Sequence, residues 1–489
     1  MPISSRMLCS ITTRPPHPKD GPWAWLVLFY CFLNALVAGG IAFGYGVILP
    51  VLMDALQENR ERTALVGSLA LGAGLFLCVV SAKLCEKFNC RIVNGVGLIS
   101  YVLGFTLSSL CNSIYPLYIT YSLLNGFAGA CTYTSNFILV RQYFKKRYSL
   151  AMGIVTAGAG IGMLSIGPLV QYLTDTLGWK NTFRVFAGIF GAFIPLTIVL
   201  DPNVESCEEE PIETAMQENS IEKDIKIKPR KIVLGFLDLS VWSFPEFTIS
   251  VVAIFIGSWG HYTPLIHMIK YSEEVGISPT KSSTLLVFVG VATIVSRLVS
   301  GRLCDVSFIK PRYVHQLGII LSGISTILLT FAVNYTHLII FSVFFGIADG
   351  AFRLTTNILF MNTVDILRRP SAFGQANMII SFSNAAGPAI AGMMADKSGS
   401  YTSAFYMAGS VSIFAGSILF LHLCFFKEHN NKQEVGISNA TDHPLACVGP
   451  ASREAEEASL HTMMTILDDL HKPRTPLNTK KSSSAEELE

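Results

Sequence analysis

Long apolar runs recur from one end of this chain to the other, and they limit its fold more than any other feature. A helix needs roughly 20 apolar residues to cross a hydrocarbon core about 30 Å thick. Only 14% of the 489 residues are charged, whereas soluble domains carry about a quarter, so a water-soluble fold is excluded. We therefore predict an all-α membrane protein with twelve transmembrane helices, over residues 23–49, 63–82, 92–110, 115–140, 149–170, 183–200, 240–268, 283–301, 313–333, 337–360, 372–394 and 402–426.

Basic residues between the apolar runs indicate the orientation of the chain, because Lys and Arg are held on the cytoplasmic side during insertion. With a cytoplasmic N-terminus, the inner connections contain 17 basic residues and the outer connections contain seven. Both termini are therefore predicted to be cytoplasmic. The polar segments 1–22, 201–236 and 427–489 are predicted to be an N-terminal tail, a linker and a disordered C-terminal tail. Two helical bundles remain, over 23–200 and 237–426.

The chain contains a weak internal repeat. The segment AKLCEKFNCR at 82–91 resembles GRLCDVSFIKPR at 301–312, and GPLVQYLTDTLGW at 167–179 resembles GPAIAGMMADKSGS at 387–400. Six predicted helices separate the two copies, so both halves share one orientation in the membrane. Two parallel six-helix repeats are the arrangement of the major facilitator fold.

Catalytic and cofactor motifs are absent from the sequence. The eleven cysteines lie mostly inside or beside apolar runs without metal-ligand spacing, and they are interpreted as packing residues. The run AGAGIG at 157–162 is interpreted as a close helix contact through small side chains. No segment combines a nucleophile with a base, and a net charge of +2 gives no reason to expect nucleic acid. We therefore predict that the protein is not an enzyme and binds no metal or cofactor.

Three strongly charged residues lie well inside the predicted membrane helices, away from their ends: Arg297, Asp349 and Arg353. Such residues are costly in hydrocarbon and usually face the bundle interior at functional sites. Arg353 follows Asp349 by four residues, which places both on one face of the tenth helix. A structural ion pair would account for one arginine and the aspartate. The second arginine leaves an excess positive charge, which a substrate carboxylate bound by Arg297 or Arg353 would neutralise.

Histidines and asparagines are further candidates for the transport pathway. His261 and His267 in the seventh predicted helix could each contact substrate, because imidazole can donate to a carboxylate or take up a proton near neutral pH. Packing against a backbone partner is the alternative for both. In the N-terminal half, Asn34, Asn125 and Asn136 could line the pathway, although hydrogen bonding between helices is the common use of such residues.

Two motifs resemble those of the monocarboxylate transporter family. KDGPWAWLV at 19–27 resembles the motif at the entry to the first helix of that family, and YFKKRYSLAMGIVTAGAGIG at 143–162 resembles its second signature. The resemblance extends from residue 19 to residue 426. It implies a plasma-membrane carrier with the major facilitator fold, which moves a carboxylate-bearing solute by alternating access.

Other segments separate the branches of that family. Proton-coupled lactate carriers have a lysine and an aspartate where this chain has Phe43 and Thr293. The resemblance to a proton-lactate symporter is therefore incomplete.

Three segments in the C-terminal half are more similar to the aromatic amino-acid and thyroid-hormone branch, namely PLIHMIKY at 264–271, SRLVSG at 296–301 and GIADG at 346–350. That similarity implies roles in substrate handling for His267, Arg297 and Asp349, and a cargo bulkier than lactate. Arg353 is not expected from this branch, and we interpret it as a change in specificity toward a more anionic solute.

The expected partners are a small carboxylate-bearing solute and membrane lipid, and the family resemblance adds a single-span glycoprotein escort. Three alternatives stay open at this point. The chain could be a receptor or sensor with the same fold, a structural membrane partner without a binding pocket, or a proton-coupled lactate or pyruvate symporter.

Overall fold

The computed structural model describes residues 16–204, 233–234, 237–418 and 420, and helices account for most of them. The N-terminal half contains α1 (Pro22–Leu56), α2 (Arg60–Phe76), α3 (Cys78–Phe88), α4 (Cys90–Leu110), α5 (Ile114–Leu117), a π-helix (Tyr118–Leu123), α6 (Leu124–Tyr143), α7 (Tyr148–Leu196) and a 3-10 turn (Thr197–Val199). The C-terminal half begins with a short antiparallel pair, β1 (Val233–Leu234) and β2 (Leu237–Asp238), and a 3-10 turn (Leu239–Ser243). It continues with α8 (Pro245–Glu274), α9 (Pro279–Cys304), α10 (Pro311–Leu329), α11 (Tyr335–Asn362), a 3-10 turn (Ile366–Arg368), α12 (Arg369–Ser398) and α13 over 402–418.

Local sequence signals account for several helix starts. Proline occupies the first turn of α1, α8, α9 and α10, where its missing N–H breaks no helical hydrogen bond. Asn59 caps α2 by accepting a 3.0 Å hydrogen bond from the amide of Arg62. Asn334 caps α11 in the same way through the amide of His337, also at 3.0 Å. These caps satisfy amides that have no partner within the helix.

The long helix α7 combines the fifth and sixth predicted spans. Its 49 residues would extend about 74 Å at the usual helical rise, which is more than twice the hydrocarbon thickness of about 30 Å. Gly178 interrupts the helix with φ 77° and ψ 158°, a region that is essentially restricted to glycine. The connection expected between 170 and 183 is therefore reduced to this single non-helical residue.

The number of membrane spans stays a prediction. Among the described residues, eight helices are long and apolar enough to cross a membrane, or nine if α2 and α3, bent by 44°, form one span. The segment 115–140, predicted as one span, is divided into α5, the π-helix and α6. The last predicted span extends to residue 426, and its end lies outside the described residues. The same holds for the N-terminal tail as far as residue 15, for most of the linker and for the C-terminal tail.

An aromatic core holds the N-terminal half together at one end. Phe105, Phe183, Phe186 and Phe190 are almost completely buried and pack with Tyr121 in one cluster. Rings in this cluster lie 5.5–6.0 Å apart in tilted, edge-on and stacked arrangements. Such pairs add to the stability that burial itself provides.

The two halves contact each other mainly through α7 against α9, and through α12 against α2 and α3. Gly153 on α7 lies so close to α9 that a Cβ atom there would be 2.6 Å from the carbonyl oxygen of Arg297. Small residues permit such an approach. The small-residue run that begins four residues later therefore belongs to a helix interface, in agreement with its interpretation as a packing surface.

A carboxylate joins the halves where α7 begins. Asp305, just beyond the end of α9, accepts hydrogen bonds from the amide of Ser149 at 2.8 Å and from the amide of Leu150 at 3.0 Å. We call this contact the Asp305 latch. An acidic group at a helix N-terminus is stabilised both by the free amides and by the helix dipole.

Candidate functional site

Asp349 on α11 is the centre of a buried polar cluster. Its Oδ1 atom accepts from the Nε2 atom of His261 at 2.8 Å and from the Nε atom of Arg353 at 2.5 Å. Its Oδ2 atom lies 3.3 Å from the hydroxyl of Thr293, which also lies 3.1 Å from the Gly346 carbonyl oxygen, and it faces the Nη2 atom of Arg297 at 3.8 Å. The side chain of Asp349 is only 4% exposed. Helices α8, α9 and α11 thus bring three of the sequence candidates, His261, Arg297 and Arg353, next to a fourth, Asp349.

Arg353 is the more exposed of the two arginines in this cluster. Its side chain is 23% exposed, and its guanidinium carbon lies 4.6 Å from the centre of the Tyr262 ring. The Nε atom is bound to Asp349, whereas Nη1 and Nη2 have no hydrogen-bond acceptor within the part of the chain that the structure describes. One turn further along α11, Asn357 accepts a 3.0 Å hydrogen bond from the hydroxyl of Tyr133 on α6. Arg353 therefore lies near the boundary between the two halves.

Arg297 is held more tightly than Arg353. Its Nη1 atom donates to the backbone carbonyl of Thr156 on α7, in the other half, and its Nη2 atom faces Asp349. The side chain is 10% exposed. Its Nε atom is buried without an acceptor among the described residues, which is rare in a folded protein and calls for a water or a ligand.

His261 connects the cluster to α10. Its Nδ1 atom lies 2.8 Å from the Ser322 hydroxyl, and its Nε2 atom lies 2.8 Å from Asp349. Because a carboxylate only accepts and a hydroxyl can donate, a neutral imidazole with its proton on Nε2 satisfies both contacts. The side chain is completely buried. In this conformation His261 has no open face toward a solute.

His267 lies apart from the Asp349 cluster. Its Nε2 atom donates to the carbonyl of Pro388 on α12 at 2.9 Å, and its ring lies 5.1 Å from that of Tyr401. The contact connects α8 to α12. The structure thus shows the packing and backbone partner that the sequence left open as an alternative.

Asn34 belongs to a second polar network, which connects α1, α4 and α6. The hydroxyl of Tyr30 donates to Asn94 at 2.5 Å, Asn94 donates to Asn136 at 3.1 Å, and Asn136 donates to Asn34 at 3.2 Å. Asn34 is 1% exposed, and its Nδ2 atom is buried without an acceptor in the described part of the chain. Asn34 and Asn136 are therefore engaged in hydrogen bonding between helices.

Three members of the Asp349 cluster and its surroundings were missed by sequence reasoning. Thr156 contributes a backbone carbonyl, which leaves no signal in the side-chain sequence. Tyr262 and Ser322 are polar residues in apolar helices, and Tyr262 directly follows His261. The polar interruption of an apolar run was the only available signal for these two residues.

The comparisons with known proteins agree with this architecture. The model of the Major Facilitator Superfamily matches residues 31–306 and again residues 247–455. This chain belongs to the Major Facilitator Superfamily. The two matches cover both halves, as the internal repeat predicts for a facilitator built from parallel bundles.

Curated relatives of this facilitator are monocarboxylate transporters. Human monocarboxylate transporter 10 is 28% identical over 440 residues, which cover 88% of this chain and 82% of the relative. Chicken monocarboxylate transporter 3 is 28% identical over 485 residues, 94% of this chain and 88% of the relative. Golden hamster monocarboxylate transporter 2 is 26% identical over 469 residues, 91% and 93% of the two chains. The resemblance inferred from the two motifs is confirmed.

The solved structures include a facilitator of the same fold. The crystal structure of a point variant of the E. coli fucose:proton symporter FucP superposes with a TM-score of 0.60 at 15% identity, covering 81% of this chain and 98% of that one. At this identity the likeness supports the fold alone. Together with the named relatives, the superfamily membership makes this chain a multi-pass secondary transporter rather than an enzyme.

Proposed function

We propose that this facilitator moves a carboxylate-bearing small solute, of the monocarboxylate or aromatic amino-acid type, across the plasma membrane by alternating access. The observation that supports the proposal best is the charge of the Asp349 cluster. Two guanidinium groups, Arg297 and Arg353, surround a single carboxylate, so the arginines exceed it by one positive charge whatever the protonation state of His261. An excess positive charge that is largely removed from water is unfavourable unless an anion compensates it.

Unused hydrogen-bond donors support the same conclusion. The Nε atom of Arg297 is buried without an acceptor in the described part of the chain, and the outer nitrogens of Arg353 have none among the described residues. Guanidinium groups bind carboxylates through paired N–H donors. A solute carboxylate near the two arginines would supply both the missing charge and the missing acceptors.

Coupling of the solute site to the two halves is also part of the proposal. Arg297 is bonded to Asp349 in one half and to the Thr156 carbonyl in the other. A solute that competes for this guanidinium changes a contact between the halves, so its binding has a different free energy in different arrangements of the bundle. Such a difference is what a ligand needs in order to shift a conformational equilibrium.

Coupling to protons has less support. Thr293 stands where a proton-coupled lactate carrier has an aspartate, and its hydroxyl proton is shared between the Gly346 carbonyl at 3.1 Å and Asp349 at 3.3 Å. Asp349 would hold the arginines in place. His261, His267 and Asn34 would position the helices that line the pathway. A glycoprotein escort stays a prediction from the family resemblance.

Flux through reconstituted protein tests the proposal. We expect proteoliposomes that contain the full chain to accumulate labelled pyruvate or phenylpyruvate, and Arg297→Gln to reduce the initial uptake rate more than about 30-fold. Removal of one member of a buried charge pair typically has an effect of this size. Arg302→Gln, on the exposed end of the same helix, is the matched control and should retain wild-type uptake.

Two results would contradict this assignment. Wild-type uptake by Arg297→Gln at equal protein density would remove Arg297 from the site. Stabilisation of the purified protein by these acids without flux in any gradient would favour a receptor of the same fold over a carrier.

A further inference from the structure

Arg353 and Arg297 differ in what they can offer to a solute. A guanidinium binds a carboxylate bidentately either end-on, through Nη1 and Nη2, or side-on, through Nε and one Nη atom. Arg297 has its Nη1 atom on the Thr156 carbonyl and its Nη2 atom beside Asp349. Both of its faces are thus partly engaged by protein oxygens.

Both donors of the end-on face of Arg353, Nη1 and Nη2, are available to a ligand. Among the described residues, only its Nε atom is hydrogen-bonded to protein, through Asp349 at 2.5 Å, and the centre of the Tyr262 ring lies 4.6 Å from the guanidinium carbon. The exposed fraction of its side chain, 23%, is about twice the 10% of Arg297. In this conformation, Arg353 has a pair of Nη donors without a protein acceptor among the described residues, whereas both Nη atoms of Arg297 face protein oxygens.

Asp349 has little capacity left for a cation of the solute. A carboxylate offers about four acceptor positions. Two are taken by His261 and Arg353, a third lies 3.3 Å from the Thr293 hydroxyl, whose proton is shared with the Gly346 carbonyl, and the fourth side faces Arg297 at 3.8 Å. A solute ammonium group would meet a cluster that already carries one excess positive charge and a carboxylate that is already bonded.

We infer that Arg353 is the specificity-determining residue of the solute site, which binds the solute carboxylate end-on and selects a monoanion over a zwitterion with the same side chain. The inference rests on the proposed function, because it names which cation of that site receives the solute. It also separates this chain from a carrier of free amino acids. The preferred cargo carries a carboxylate with an oxo or hydroxyl group, and no ammonium group, on the neighbouring carbon.

The test compares head groups at constant side chain. Proteoliposomes with the full chain are given pyruvate, lactate or alanine, and in parallel phenylpyruvate, phenyllactate or phenylalanine, at neutral pH. In whichever size series is moved, we expect the oxo or hydroxy acid to exceed the amino acid at least about tenfold in kcat/KM. The ammonium group of the amino acid would meet the excess positive charge without a free acceptor, and a buried polar group left unpaired accounts for a ratio of this size.

Two variants of Arg353 test whether this residue causes the preference for the acid over the amino acid. Arg353→Gln removes the charge and the fork, and should raise KM for the acid at least about tenfold while the ratio of acid to amino acid falls toward one. Arg353→Lys keeps the charge without the planar fork, and should keep the preference for the acid at a higher KM. Arg302→Gln serves again as the control. Unchanged monodispersity and thermal transition in detergent verify that each variant is folded.

The outcomes distinguish this inference from the proposed function. Transport of the amino acid as efficiently as the acid, or a wild-type KM and ratio in Arg353→Gln, overturns the role of Arg353 while leaving a carboxylate carrier intact. If Arg353→Gln does not fold, Arg353→Lys and the wild-type head-group ratio still decide the matter. Failure of the wild-type protein to move any of the six solutes contradicts the proposed function itself.

Discussion

At the scale of single residues, His261 shows how a titratable side chain can serve the site without meeting the solute. Its ring lies 5.2 Å from that of Phe345 and 4.5 Å from that of Phe352, both nearly inaccessible to solvent. The polar contacts to Ser322 and Asp349 therefore lie in a dry environment, where each hydrogen bond is strong and each missing one is costly. We interpret His261 as a positioning residue for Asp349.

Replacement of His261 by Leu tests this role. The change leaves an oxygen of the Asp349 carboxylate without its histidine donor, and we expect the free energy of unfolding to fall by about 1–3 kcal/mol. Equilibrium unfolding in mixed micelles measures the loss. His337→Leu, at the exposed start of α11, is the control. Equal stability of the two variants would mean that the buried contacts of His261 contribute little.

At the scale of the elements, α7 depends on one residue for its shape. Gly178 has φ 77° and ψ 158°, and a Cβ atom added there would have no neighbour within 4 Å. Substitution is therefore opposed by the backbone conformation and not by crowding. The aromatic residues that follow, Trp179 and Phe183, are buried, so the direction of the chain after Gly178 determines whether the aromatic core forms.

Gly178→Ala should destabilise the protein by about 1–3 kcal/mol, the usual range for a residue forced into a sparsely populated backbone region. Gly188→Ala, in the regular part of the same helix and equally free of neighbours, should be neutral or stabilising by up to about 1 kcal/mol. Thermal unfolding in detergent compares the two. Similar behaviour of both variants would show that α7 can bend without a glycine at 178.

At the scale of the whole molecule, the acidic residues in the two copies of the repeated motif form different contacts. In the second copy, Asp305 crosses to the other half and caps α7. Its counterpart in the first copy, Glu86, pairs with Lys83 of its own helix at 2.8 Å. The sequence repeat thus places an acid at equivalent positions, while only one of these two described carboxylates joins the halves in this conformation.

Asp305→Asn should weaken the latch, because the amide keeps an acceptor but loses the charge at the start of α7. We expect amide hydrogen exchange in a peptide containing Ser149 and Leu150 to accelerate about two- to fivefold, in line with the usual free energy of an acid at a helix N-terminus. Glu86→Gln should leave exchange in this peptide unchanged. No acceleration in Asp305→Asn, or the same acceleration in both variants, would contradict the latch.

Much of this protein could be predicted from local chemistry. Long apolar runs require a membrane fold in any arrangement of the helices, because backbone groups in lipid must be satisfied within the helix. The repeated motif predicts a facilitator fold, and superfamily membership agrees with it. The spacing of Asp349 and Arg353 predicts their contact, because residues four apart on a helix are neighbours. Arg297, on another helix, also lies beside Asp349, at 3.8 Å.

Only the tertiary structure decided which contacts each of these residues makes. The sequence offered both Arg297 and Arg353 for binding the substrate carboxylate, yet Arg297 is hydrogen-bonded to a backbone carbonyl of the other half, and no side-chain pattern records such a contact. His261 and His267 are equally polar in sequence, but one is inside the Asp349 cluster and the other is bonded to Pro388 on α12. Composition and periodicity determined that charges lie within the membrane helices, whereas helix packing across the whole chain determined which of their hydrogen-bond donors remain free.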